Sequence, residues 1–159
     1  MSVEQRRGMA STDYEGEYAS IGGRPYQSRI RGLDAGGVRI SRVFDRGAVW
    51  MRIAWRRDAL AAAFMWGEGT RIEQTPFRSP KLGIPGPGTE VATLQDGPSH
   101  TLRLGIRGQA FEALLADPRN ERLLLPYLRA GVHLPAAPPE VEWRLQLAML
   151  RATGFAGSL

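Results

Sequence analysis

Between residues 24 and 107, short apolar runs alternate with Gly and Pro, a pattern typical of β-strands joined by tight turns. Within residues 49–55 every second side chain is large and apolar (Val49, Met51, Ile53 and Trp55), and the positions between them hold Trp50, Arg52 and Ala54. Because successive side chains of a strand point to opposite faces, this segment is predicted to be a strand with one buried face.

Further strands are predicted at residues 26–31, 38–44, 60–66, 70–74, 89–95 and 102–106. Segment 60–66 is apolar on both faces, so we expect it in the centre of a sheet, with 70–74 pairing back on it as a hairpin. Gly32 is expected to end the first strand, and the prolines of 85–88 interrupt the ladder because proline donates no N–H. Strands this short and this closely spaced predict a sandwich or a barrel.

After Gly108 the apolar positions follow helical spacing. A first helix is predicted to end or be interrupted at Asp117-Pro118, a second covers 121–128, and a third covers 140–153 after a proline-rich linker at 134–139. The chain is therefore predicted to be mostly β, a cupin-like barrel or sandwich, followed by two or three α-helices.

The third predicted helix is apolar on more than one face, so we expect it to be buried on more than one side. Trp143, Leu147 and Leu150 are expected to pack on the β region. A second apolar stripe consists of Val141, Leu145, Ala148, Met149 and Ala152. An uncovered apolar stripe is typical of an interface, so it predicts a homodimer in which the helix meets its own copy across a two-fold axis. The alternative is that segment 121–128 covers the stripe.

Three regions are predicted along the chain. Residues 1–20 carry few large apolar side chains and are interpreted as a mobile tail. Residues 21–107 form a β-barrel ligand-binding region, and residues 108–159 form a helical dimerisation region. No apolar run reaches the ~20 residues that span a bilayer, the start lacks the apolar core of a secretory signal, and the chain has no cysteine. These features predict a cytoplasmic protein without membrane contact.

The net charge of +5 raises the question of nucleic acid, because arginine binds phosphate well and Lys81 is the one lysine among 21 basic residues. The arginines are scattered, however, and no aromatic-basic signature of an RNA-binding sheet is present. We therefore expect no direct nucleic-acid binding by this chain alone.

Candidates for catalysis are few. The two histidines, His100 and His133, are far apart in the sequence and make a poor ligand set, so neither a metal nor another cofactor is predicted. No Gly-x-Ser-x-Gly nucleophile motif occurs. The pattern favours a protein that binds and does not catalyse, with no catalytic residue.

The aromatic side chains of the β region predict where a ligand would bind. Alanines at 61–63 either let a helix approach closely or leave a cavity inside the fold. If a cavity exists, Arg52 is the expected polar anchor, since an arginine among aromatic rings suits a carboxylate or another planar anion. The other expected lining residues are Tyr26, Trp50, Met51, Trp55, Phe64 and Trp66.

Several segments resemble the N-terminal, cupin-like sensor and dimerisation domain of AraC-type transcription regulators. The resemblance lies in Leu33, residues 37–43, Trp66-Gly67, residues 87–90, and residues 100–106 continuing into 109–115, and it covers roughly residues 24–153. It implies a domain that senses a small molecule, forms a homodimer and has no catalytic residue.

In those regulators a DNA-binding domain with two helix-turn-helix units follows the helices. The last residue of this sequence is Leu159, so we expect either a fragment of such a regulator or a stand-alone domain. The alternative functions are a stand-alone cupin-like binding or structural protein and a metal-dependent enzyme.

Overall fold

A computed structural model describes residues 7–10, 14–22, 26–67, 70–72, 75–76 and 82–154. The strands are β1 Arg7–Ala10, β2 Tyr14–Ser20, β3 Gln27–Ala35, β4 Val38–Arg46, β5 Val49–Trp55, β6 Ala59–Gly67, β7 Arg71–Ile72, β8 Thr75–Pro76, β9 Leu82–Pro85, β10 Glu90–Gln95, β11 Ser99–Arg107 and β12 Val132–His133. The helices are α1 Gln109–Ala116, α2 Pro118–Leu124 and α3 Pro139–Ala152, with a 3-10 turn at Leu125–Tyr127. The remaining parts of the predicted tail, of the predicted hairpin and of the helical region lie outside the described residues.

Two antiparallel sheets form the β region. The first has the strand order β1-β2-β5-β10-β7-β8, and the second has the order β12-β9-β6-β11-β4-β3. The mostly β fold with C-terminal helices is thus confirmed, whereas the closed, cupin-like barrel stays a prediction. Strand β5 alternates buried and less buried residues as expected, and β6 lies between β9 and β11 in the centre of its sheet.

The interpretation of residues 1–20 as a mobile tail is wrong for the described part. Strand β2 pairs with β5 along its whole length, and β1 pairs with β2. Tyr14 is buried in the core, and Tyr18 packs against the same cluster. Gly16 makes this pairing possible, because a Cβ at that position would overlap the carbonyl oxygen of Arg52. Two tyrosines and a glycine on one strand face therefore anchor a segment that looks polar in composition.

Two further expectations about the strands are corrected. Gly32 does not end β3, which continues to Ala35, because the glycine allows close approach to the carbonyl oxygen of Ile40 on the paired strand. Residues 71–72 do not fold back on β6. They pair with β10 in the other sheet, since both sides of β6 are already occupied by β9 and β11.

The inner faces of the two sheets form the core. Val49, Met51 and Ile53 of β5 pack with Tyr14, and Arg103 of the second sheet donates a 2.7 Å hydrogen bond to the Tyr14 hydroxyl. The core is unusually polar, because it also buries Thr70, Thr93, Gln95, Ser99 and Thr101.

Helices α1 and α3 follow the predicted boundaries closely, whereas the helix predicted at 121–128 is α2, which begins at Pro118 and ends at Leu124, followed by the 3-10 turn at Leu125–Tyr127. Asp117 separates α1 from α2 and caps α2, since its carboxylate accepts a 2.8 Å hydrogen bond from the backbone N–H of Arg119. Helix α3 lies on the outer face of the second sheet, where Met149 is buried against Phe64 and Leu102. No helix in the described part of the chain is both long and apolar enough to cross a membrane.

The faces of α3 differ from the prediction. Leu145 and Leu150 pack beside Met149 on the sheet, whereas Trp143, expected on the sheet, is 61% exposed. Leu145 and Met149, two of the residues predicted for the dimer interface, thus belong to the contact between α3 and the sheet. Burial of a second side of α3 stays a prediction, because it depends on a second copy of the chain. The helix is apolar on both flanks of its docking face, so its periodicity did not specify which flank contacts the sheet.

Candidate functional site

The outer face of the second sheet carries a row of aromatic side chains beyond the end of α3. In β4, Arg42, Phe44 and Arg46 alternate with the buried residues Ser41, Val43 and Asp45, so the former point away from the core. The pairing of β4, β11 and β6 places His100 opposite both Phe44 and Trp66.

These three rings form a stacked column. The Phe44 and His100 ring centroids are 4.5 Å apart with an interplanar angle of 1°. Trp66 stacks on the other side, with its centroid 4.9 Å from that of His100 and an interplanar angle of 22°. The imidazole is thus enclosed between two larger rings, and Phe44 is the ring nearest to the edge strand β3. Such parallel contacts hold the rings in one orientation.

Arg42 is fixed against this column by two contacts. Its Nε donates a 2.7 Å hydrogen bond to His100 Nε2, and its guanidinium carbon lies 4.4 Å from the centroid of the Phe44 ring. Because arginine can only donate, His100 Nε2 is the acceptor and the imidazole is neutral. Burial and the charge of Arg42 lower the pKa of His100 to about 4.

The column forms part of an open cleft with a volume of about 1130 Å³. Four arginines line it: Arg29, Arg31, Arg42 and Arg46. Of these, Arg29, Arg31 and Arg46 form no ion pair or side-chain hydrogen bond with another described residue. Burial, followed by the charge of Arg31, lowers the pKa of Arg42. The cleft therefore concentrates positive charge.

Asp45, the acidic residue among those that line the cleft, accepts hydrogen bonds from two neighbouring side chains. Its carboxylate accepts a 2.6 Å hydrogen bond from the Tyr26 hydroxyl and a longer one, 3.5 Å, from Ser99. Burial and the Asp45 charge raise the pKa of Tyr26, so the phenol remains a donor at neutral pH. Asp45 is thus committed to structural hydrogen bonds, with its side chain almost fully buried.

The C-terminal end of α3 forms one wall of the cleft through Thr153 and Gly154. The Thr153 hydroxyl donates to the carbonyl oxygens of Met149 and Leu150, at 3.1 and 3.0 Å. Gly154 has φ +79°, the left-handed conformation that ends many helices. Its N–H donates to the Arg151 carbonyl oxygen at 3.0 Å. A ligand in the cleft would therefore touch the residues that end α3.

The residues predicted to line a ligand cavity do not share one pocket. Tyr26, Met51 and Trp55 belong to the core between the sheets. Trp50 and Arg52 lie on the opposite face of β5, where Arg52 pairs with Glu90. This division follows from strand alternation: neighbours in sequence on one strand face opposite ways.

The two predicted pocket residues of β6 lie on a third surface, the outer face of the second sheet. Phe64 is buried under α3, and Trp66 lines the cleft. The anticipated chemistry, an arginine among aromatic rings, occurs around Arg42 and not around Arg52. The sequence patterns did not identify Arg42, Phe44 and His100 as residues of a binding site. The alternation of Arg42, Phe44 and Arg46 with buried positions along one strand could have indicated two of them.

The core holds polar atoms of its own. Gln95 is 1% exposed, and its Oε1 has no hydrogen-bond partner among the described residues. The same is true of the hydroxyl groups of Thr70, Thr93 and Thr101. No group of three or more metal-ligating side chains occurs in the described ranges.

No protein-family model, no curated protein and no solved structure matches this chain. A functional proposal for this chain therefore rests on the residues of the cleft.

Proposed function

We propose that this chain is a cytoplasmic, non-catalytic domain that binds a small molecule in the cleft at the end of α3. We further propose that it serves as the sensor and dimerisation domain of an AraC-type transcription regulator. The observation that carries the binding function is the combination of three arginines without a described ion partner and a stacked aromatic column in one open cleft. Such convergence of polar groups on an apolar surface is typical of ligand sites.

The state of His100 supports binding over catalysis. A general base needs a free lone pair within reach of the substrate proton. The Nε2 lone pair of His100 instead accepts the hydrogen bond from Arg42, and both ring faces are covered by Phe44 and Trp66. His100 therefore acts as a positioning residue for Arg42.

The location of the cleft supports a sensor. Thr153 and Gly154, which follow α3 directly, line the cleft. On its outer side, α3 exposes Val141, Ala148 and Ala152. These three residues of the predicted dimer interface stay available to a second copy of the chain. Occupation of the cleft would thus act on the helix that we propose as the dimer contact.

The dimer is tested by Val141→Arg. Val141 is 50% exposed, so the substitution should leave the monomer folded while placing an unpaired charge in the interface. Light scattering at tens of micromolar should report a dimer for the wild-type chain and a monomer for the variant. A wild-type monomer would contradict the proposal.

Ligand binding is tested by a thermal-shift screen of small metabolites that includes neutral compounds. A ligand at 100 times its Kd stabilises the fold by about 2.7 kcal/mol. Gln27 lines the cleft, is exposed and lies opposite Arg46, so Gln27→Trp should obstruct that part of the cleft and weaken the shift. The matched control is Gln109→Trp, at an exposed position on α1, which should keep it. If no compound stabilises the wild type, or Gln27→Trp keeps every shift, the binding function at this site is wrong.

A further inference from the structure

We infer that the ligand of the cleft is a planar organic anion, a carboxylate attached to an aromatic or conjugated group. This inference rests on the proposed binding function and adds the chemical class of the ligand.

The negative charge of the ligand follows from the arginines. Arg29 and Arg31 project from the edge strand β3, and Arg46 ends the neighbouring strand β4. None of the three has an ion partner among the described residues, and Asp45 is held by Tyr26 and Ser99. An arginine binds a carboxylate through two parallel hydrogen bonds, which a neutral ligand cannot accept with equal strength. Binding an anion would neutralise charges that repel one another.

The planarity of the ligand follows from the aromatic column. His100 is covered on one face by Phe44 and on the other by Trp66. Phe44 is 37% exposed and lies opposite Arg29 in the pairing of β3 with β4. A flat group that extends the column at Phe44 would therefore bring an attached carboxylate within reach of the arginines on β3. Stacking of this kind is lost when the ligand ring is puckered.

The same geometry favours a small ligand over single-stranded nucleic acid. Proteins that bind single strands offer separate aromatic platforms, on which successive bases stack. Here the three rings stack on one another, so the column leaves only the outer faces of its two end rings, Phe44 and Trp66, for stacking. Phe44 is the end ring beside the arginines of β3, and it accommodates one planar group.

The test uses three probes of similar size: benzoate, cyclohexanecarboxylate and benzamide. Binding is measured by calorimetry at pH 7.5. Benzoate is expected to bind at least about tenfold more tightly than either of the others, since cyclohexanecarboxylate lacks planarity and benzamide lacks charge. A tenfold ratio corresponds to 1.4 kcal/mol.

Two variants assign the preferences to residues. Phe44→Leu should reduce the ratio between the two acids to about one, whereas the conservative Phe44→Tyr should retain it. The double variant Arg29→Ala/Arg31→Ala should weaken both acids and leave benzamide unchanged. Arg52→Ala, which removes an exposed arginine on the other sheet, is the matched control and should change none of the three.

The outcomes separate this inference from the proposed function. Equal affinity for the two acids would overturn planarity, and equal affinity for benzoate and benzamide would overturn the charge requirement. If none of the probes binds while screened compounds still give shifts that Gln27→Trp weakens, the ligand class is wrong and the binding function stands. Tight binding of oligothymidylate that benzoate does not displace would replace the small ligand by a nucleic-acid strand.

Discussion

Met149 is predicted to contribute more to stability than the larger side chain of Trp143 on the same helix. Met149 is 2% exposed and packs on Phe64 and Leu102. Met149→Ala removes three buried heavy-atom groups, worth about 0.8 kcal/mol each, and adds the cost of the residual cavity, for a total of about 3 kcal/mol. Trp143 is 61% exposed, so Trp143→Ala should cost less than about 1 kcal/mol.

The assay is urea unfolding followed by circular dichroism at pH 7.5, with thermal unfolding as a second measure. A loss of about 3 kcal/mol should lower the Tm by roughly 6–12 °C in a domain of this size. If α3 instead docked through Trp143, the order would be reversed, because truncation of a buried tryptophan costs about 3–5 kcal/mol. A larger loss for Trp143→Ala than for Met149→Ala would therefore refute the assignment of the docking face.

Three further predictions concern other parts of the fold. Gly16→Ala should lower the free energy of unfolding in urea by about 2 kcal/mol or more, because the added Cβ would overlap the Arg52 carbonyl oxygen. The control Gly97→Ala should change it little, because the space around Gly97 is open. Thr101→Val replaces a buried hydroxyl that has no described partner and should be neutral or stabilising by about 1 kcal/mol, so a loss above about 1 kcal/mol would contradict that account. His100 has a lowered pKa of about 4, so the unfolded chain takes up its proton first as the pH falls below about 6.5. Wild-type stability should thus fall between pH 6.5 and 4 more steeply than that of His100→Phe, and parallel profiles would show that His100 does not titrate in this way.

Local patterns predicted the elements that depend on one segment of chain. The alternation of Val49, Met51 and Ile53 identified β5 and its buried face, and the apolar run of β6 identified a central strand. The Asp117-Pro118 step predicted the break between α1 and α2, because the residue before a proline avoids the helical conformation. In each case the physical cause acts within a few residues.

Where the outcome depended on a distant partner, the patterns failed. Strand β2 has few apolar residues, and its position depends on the close approach of Gly16 to β5. The docking face of α3 depends on which flank matches the surface formed by Phe64 and Leu102. A helix with apolar residues on both flanks leaves that choice open, and small differences in packing decide it.

The cleft is a consequence of strand register. Phe44, His100 and Trp66 come from three strands, and they meet because β11 pairs with β4 and β6 in one particular alignment. A slip of one residue in β11 would turn His100 into the core and bring the small side chain of Ser99 or Thr101 opposite Phe44. Arg42 would then lose its acceptor. The composition of the β region was enough to suggest an arginine among aromatic rings, but its location is set by non-local pairing. To predict a binding site in such a sheet, the residues on one face of a strand must therefore be grouped with their neighbours on the paired strands.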